Sequence, residues 1–279
     1  MLAAIDAAHC GLDHASSSLG LQESPHRLRA HAMLPSRLQL PINMLAQPDE
    51  TTCGPTCLAA VYRFWGEKDT LSDVVKRTRK LDHGGTFAVF LAVDALHRGF
   101  SATIYTYNLL VFDPSWFARD IDIKAALIKQ RDLKKDARLG LATEGYLEFL
   151  SSGGRLKLVD LTRPLIRKLL QRGSPIITGL SSTFLYRTKR EFGPQDTPDD
   201  IRGTPAGHFV VIAGYNRQDR SLLIADPYGP HPFGGKREYW ISIDRVMNAV
   251  LLGIVTHDAN LLVIEKHGHA PARRHRPSR

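Results

Sequence analysis

Cys53 opens the run Cys53-Gly54-Pro55-Thr56-Cys57-Leu58-Ala59-Ala60, which reads as the first turns of a buried helix, with Gln47 six residues upstream. A thiol at a helix N-terminus sits among unpaired backbone N–H groups at the positive end of the helix dipole. That setting favours thiolate, the nucleophilic form. A cysteine nucleophile also needs a base close in space and a third group that fixes the tautomer of that base. The chain offers both far downstream, at His208 in Gly207-His208-Phe209-Val210-Val211-Ile212 and at Asp226 in Leu222-Leu223-Ile224-Ala225-Asp226-Pro227. Both segments carry the β-branched and apolar residues of strands, and the polar stretch Asn216-Arg217-Gln218-Asp219-Arg220 between them reads as a hairpin loop. Folding back about that loop sets position 226 opposite or diagonal to position 208. Their even separation permits both side chains to share one face. The residues therefore predict a His–Asp pair serving a cysteine, and acyl transfer through a thioester as the chemistry.

The elements that must hold these groups are legible from the apolar pattern. A helix over 55–65 has Pro55 in its first turn and Gly66 just past its end, and Leu58, Val61, Tyr62 and Trp65 fall on one side. That stripe buries the helix and fixes Cys53 on a rigid support. Cys57, one turn inward, is expected to face the core. Further helices are expected over 71–80 and 86–98, the second closed by Gly99, with a strand over 100–107. Residues 108–155 hold two charged helical stretches, 122–135 and 143–152, and read as a helical cap or insertion. A strand over 156–159, a helix over 162–172 and a strand over 175–180 follow. The polar stretch 181–207, with Pro194, Pro198 and Pro205, reads as a long loop bordering the substrate cleft. The order predicts an α+β fold in which an antiparallel sheet packs beside a helical lobe, with the site between them.

Gln47, Cys53-Gly54-Pro55, the apolar helix ending at Trp65-Gly66, Gly207-His208 leading a strand and Asp226-Pro227 ending the next together resemble the C39-like group of papain-fold cysteine peptidases. The resemblance covers roughly residues 41 to 266. It implies a papain-like fold with Cys53 as nucleophile, His208 as general base and acid, Asp226 as the orienting group and Gln47 as a side-chain donor to the oxyanion hole. It also implies hydrolysis of a leader or short peptide, and an association with an ATP-grasp ligase whose products would be trimmed. Two other outcomes of the same residues are an acyl or peptidyl transferase, in which an amine replaces water, and a non-catalytic peptide-binding module. The domain reading is a flexible extension or over-long start over 1–36, a catalytic domain over 37–266, and a disordered basic tail over 267–279.

Much of the formal excess of +9 lies in that tail, at Arg273, Arg274, Arg276 and Arg279, so no nucleic-acid partner is expected. Three cysteines are too few for a disulfide framework, and Cys53 and Cys57 lack the second pair that a metal site needs. No Gly-rich phosphate loop is present, and thiol acyl transfer needs no cofactor. The first residues lack a basic stretch and carry Asp6 where a signal core would run, and no apolar run is long enough for a membrane span. A cytoplasmic enzyme is expected. His83, His97, His231 and His257 have no partner pattern and read as surface or packing residues, and Asp94 and Trp65 as helix-face and core residues.

Overall fold

A computed structural model describes residues 35–266 except positions 83 and 120. Most of the expected N-terminal extension, the basic tail, Cys10 and His83 lie outside the described residues.

Strand β1 (Arg37–Gln39) leads through extended chain to α1 (Cys53–Phe64), then to α2 (Leu71–Arg77), α3 (Ala88–His97) and β2 (Phe100–Thr106). Helices α4 (Ser115–Ala118), α5 (Ile123–Lys134) and α6 (Ala137–Ser151) fill the expected insertion, followed by β3 (Arg155–Lys157). The second half runs α7 (Arg163–Gln171), β4 (Ile176–Ser181), α8 (Ser182–Tyr186), β5 (Glu191–Phe192), β6 (Thr197–Pro198), β7 (Gly207–Asn216) and β8 (Ser221–Ala225). It closes with β9 (Glu238–Ser242), α9 (Ile243–Leu252) and β10 (Asn260–Lys266).

Helix starts follow the local capping chemistry. Thr70 and Asp73 form a reciprocal capping box on α2, and Asp122, Asp136 and Thr162 each accept a backbone N–H in the first turn of α5, α6 and α7. The Asp136 cap moves the start of α6 to Ala137, ahead of the expected Thr143. Helix α2 stops at Arg77 because Thr78 leaves helical geometry while its hydroxyl bonds back to the Val74 carbonyl. The stretch 181–207 is shorter as a loop than its polarity suggested, since it holds α8 and the β5–β6 hairpin.

The main sheet has the order β3-β2-β10-β4-β7-β8-β9, with β1 paired to β7, and every pairing is antiparallel except β2 with β3. The fold is α+β, as expected. One face, carrying Phe209, Val211, Ala213, Leu223 and Ala225, packs on α1, α3 and α6. The other, carrying Val210, Ile212, Tyr215, Leu222 and Ile224, packs on α7, α8 and α9. The sheet therefore separates two apolar cores, a second helical layer being added to the helical lobe the sequence suggested. Both layers bear on the candidate site, because α1, which carries Cys53, lies on the first and the elements α8 and α9 lie on the second.

Gly54 is what lets α1 approach the sheet. A Cβ there would stand 2.6 Å from Thr86 Cγ2 and 3.2 Å from Phe209 Cδ2. Gly54→Ala should therefore displace the N-terminus of α1 and lower stability by about 1–3 kcal/mol in denaturant titration. Combining it with Thr86→Ser, which deletes the clashing methyl and keeps the hydroxyl bond to the Arg79 carbonyl, should recover part of the loss. A double variant no more stable than Gly54→Ala alone would show that this contact does not set the packing.

Candidate active site

Cys53 is the first residue of α1, so its backbone N–H and that of Gly54 have no intrahelical acceptor, and Pro55 has no N–H to satisfy. The cap residue Thr52 is fully buried, and its hydroxyl is engaged with Asp49 rather than with the helix. The first N–H groups of α1 are thus left pointing out of the helix beside the thiol. Cys57 behaves as the sequence suggested. It is fully buried, its thiol donates to the Phe209 carbonyl at 3.3 Å, and burial pushes its pKa well up. Both cysteines are free thiols.

His208 comes from the start of β7, with its backbone opposite Leu180 of β4. Its Nε2–H donates to Asp226 Oδ1 at 2.8 Å, and Cys53 lies near enough to act on the ring's charge. Nε2 is committed to the carboxylate, so Nδ1 is the ring nitrogen left available. Burial pulls the imidazolium pKa down, but Asp226 and Cys53 together reverse this and hold it up at about 10.

Asp226 is wholly buried and saturated with donors. Besides His208, its Oδ1 accepts the Tyr228 N–H at 3.0 Å, while Oδ2 accepts the hydroxyls of Tyr186 at 2.8 Å and Tyr239 at 2.7 Å. Burial pushes the carboxyl upward, yet the imidazolium and the two phenols outweigh it and hold Asp226 below its usual value. A buried carboxylate that keeps its charge in this way is a fixed counter-ion for the imidazole.

Tyr186 and Tyr239 are residues that sequence reasoning missed. They come from α8 and β9, and their alternation within apolar segments marks them only as core. With Tyr228, His231 and Phe233 they build an aromatic wall behind His208 and Asp226. His231, read as surface or packing, is a buried packing residue. The Phe233 N–H donates to its Nδ1 at 3.2 Å, so Nε2 carries the hydrogen given to the Lys236 carbonyl at 2.8 Å. His97 is exposed, as expected. Asp94, expected on a helix face, accepts the Tyr62 hydroxyl and the Arg77 guanidinium, and half-buried Trp65 donates to the Ile264 carbonyl at 3.0 Å.

Gln47 is tied to the same end of the sheet. Its backbone N–H donates to the Pro227 carbonyl at 3.1 Å, next to Asp226, and Arg237 Nη1 donates to that carbonyl at 3.1 Å. The side-chain Nε2 donates to the Asp49 carbonyl at 3.0 Å, leaving its second hydrogen free, while Oε1 is buried without a partner. Among the described residues no cluster of His, Cys, Asp and Glu could hold a metal, and no helix is long and apolar enough to cross a membrane.

Residues 159–247 match the model of the Peptidase_C39 like family. The match takes in His208 and Asp226 and leaves Gln47 and Cys53 outside it. Among solved structures, the peptidase domain of Streptococcus ComA, a bifunctional ABC transporter of a quorum-sensing pathway, is 16% identical with a TM-score of 0.37, over 80% of this chain and 97% of that one. Xylellain, a cysteine protease from Xylella fastidiosa, is 15% identical with a TM-score of 0.41, over 84% of this chain and 87% of that one. A double-glycine-motif protease from an AMS/PCAT transporter, solved in complex with the leader peptide, is 13% identical with a TM-score of 0.39, over 82% of this chain and 94% of that one. No curated protein matches the chain.

Proposed function

We propose, from the likeness of residues 159–247 to the C39-like peptidases, that this chain hydrolyses a peptide bond through a thioester on Cys53. The observation that carries this reading is a buried imidazole bonded at 2.8 Å to a saturated carboxylate, with Cys53 near enough to help hold its proton. With its proton held to about pH 10, His208 rests as an imidazolium at neutral pH and can neutralise a thiolate beside it. The thiolate attacks the scissile carbonyl carbon, the carbon–nitrogen bond breaks, and His208 gives its proton to the departing amine. His208 then takes a proton from water, whose oxygen attacks the thioester and releases the acid and the thiolate.

The developing oxyanion is met by the free N–H of Cys53 and the second hydrogen of Gln47 Nε2, each such donor being worth roughly 3–4 kcal/mol of barrier lowering. Asp226 holds the ring and stabilises its charged form. A leader or short peptide is the substrate implied by the resemblance. An ATP-grasp ligase, which makes amide bonds, is the partner whose products this chemistry would trim.

The test is a pH profile combined with intact-mass analysis during turnover of a peptide library. The ratio kcat/KM should hold through the neutral range and fall only near pH 10, as the imidazolium is lost, and protein quenched in acid should carry an acyl mass on Cys53. A rate that instead climbs through pH 6.5, as a free imidazole base would give, or an acyl group found on any other residue, would remove the reading.

A further inference from the structure

At the end of the sheet remote from Cys53, where β7 turns into β8, a cleft of about 190 Å³ is lined by Arg163, Arg167, Tyr215, Arg217, Arg220 and Ser221. It lies eight residues along β7 from His208, ~26 Å at ~3.3 Å per residue, so it is separate from the site described above. Its walls are mostly polar and its charge is one-sided. Arg163 is held by the Asp244 carboxylate in a two-pronged pair, Nε to Oδ1 at 2.8 Å and Nη2 to Oδ2 at 2.6 Å. Arg167, Arg217 and Arg220 have no carboxylate partner among the described residues. The other nearby acid, Asp219, is engaged by the Asn216 side-chain amide. Four guanidinium groups thus face two carboxylates, leaving two positive charges uncompensated. Arg163 and Ile243 are the first residues of α7 and α9, so the positive ends of two helix dipoles open beside the same cleft. The Ser221 hydroxyl on its wall has no hydrogen-bond partner among the described residues.

We propose that this cleft binds the phosphate head of a phosphorylated small molecule. Planar guanidinium forks match the paired oxygens of a phosphate, and a dianion balances the two spare charges where a monocarboxylate leaves one. The volume is below the ~300 Å³ at which pockets begin to enclose whole ligands, so the cleft takes the charged head and leaves the remainder in solvent. Neither Cys53 nor His208 takes part, and binding persists in a Cys53→Ala protein.

The full chain is titrated with inorganic pyrophosphate and, separately, with ATP, at ionic strength matched by sodium chloride, and followed by calorimetry and thermal melting. Saturable binding with a raised Tm is expected. Arg167→Gln combined with Arg217→Gln should weaken it at least tenfold and leave the anion-free melt at the parental value. Should that pair unfold the protein, the exposed Arg220→Gln alone should weaken binding severalfold. Tighter binding of ATP identifies a nucleotide-borne phosphate, and tighter binding of pyrophosphate a free diphosphate, each in support. No saturable response beyond the chloride control, or undiminished binding by the arginine variants, overturns the proposal, as does preference for a single-stranded oligonucleotide over both probes.

Discussion

Replacing Cys53 with serine should lower peptide hydrolysis by on the order of 10⁴-fold or more while moving the thermal melt very little. The expected size follows from removing a nucleophile whose contribution cannot be shared out, because base and orienting group act only through it. What survives is the modest acceleration from binding and from the oxyanion donors. The small structural effect follows from the position. Cys53 sits at the first turn of α1, where serine differs by one atom, and the packing of that turn rests on Gly54 against Thr86 and Phe209. Steady-state kinetics with any peptide that the wild type cleaves, run beside a melt, separates the two readouts. Full activity in Cys53→Ser would eliminate the thioester mechanism. Loss of activity with an equally large loss of stability would assign Cys53 to packing. Cys57→Ser is the internal control, since that thiol is sealed in the core and should leave turnover unchanged.

Asp226 carries the second large effect, and here stability and activity change together. Asp226→Ala strands an imidazolium and the hydroxyls of Tyr186 and Tyr239 in a buried site, and should cost about 3–5 kcal/mol. Asp226→Asn keeps the shape and lets the tyrosines reorient, so it should cost less in stability. It still offers the imidazole no negative charge, and the same change in serine-protease triads lowers turnover about 10⁴-fold.

The stability difference between wild type and Asp226→Asn depends on pH with a definite sign. Asp226 is held below its ordinary 3.8 in the fold, so its contribution is complete above that value and disappears as acid protonates the folded carboxyl. His208 is held above its ordinary 6.5, so its contribution is complete below 6.5 and declines progressively until about pH 10. The two shifts report one ion pair and are not summed. Wild type should therefore exceed the variant most between about pH 4 and 6.5, with the gap narrowing on both sides in denaturant titrations. A gap that widens from pH 7 to 10 would mean that the pair is not charged as described.

How much of this was legible beforehand can be judged from particular residues. The start of α1 at Cys53, the strands around His208 and Asp226 and the burial of Cys57 follow from apolar periodicity and from the Pro55 and Gly66 punctuation, which are local signals. Tyr186 and Tyr239 carried no such signal. Their hydroxyls become functional only because α8 and β9 converge on one carboxylate, and a tyrosine in an apolar segment looks the same whether or not a partner waits for it. The start of α6 lies ahead of the expected Thr143 for a smaller reason, since Asp136 caps the helix there.

The sequence by itself determined which groups could react and on what kind of element each would sit, because residue type, capping chemistry and hydrophobic period are written into short stretches of chain. Whether His208 and Asp226 would meet was decided by the tertiary structure. A regular hairpin continued from the pair Asn216 with Ser221 would set Asp226 across from Val211, on the face away from His208. The register slips between Ile212 and Gly214, where Ala213 is an extra residue, so that Val211 faces Ala225 and Asp226 comes to the His208 face. Gly214 lies against β1 there, with its absent Cβ only 2.4 Å from the Leu38 carbonyl. One bulged residue, held in place by β1 from far back in the chain, reverses the parity of everything beyond it, and no short-range pattern in β7 or β8 announces it.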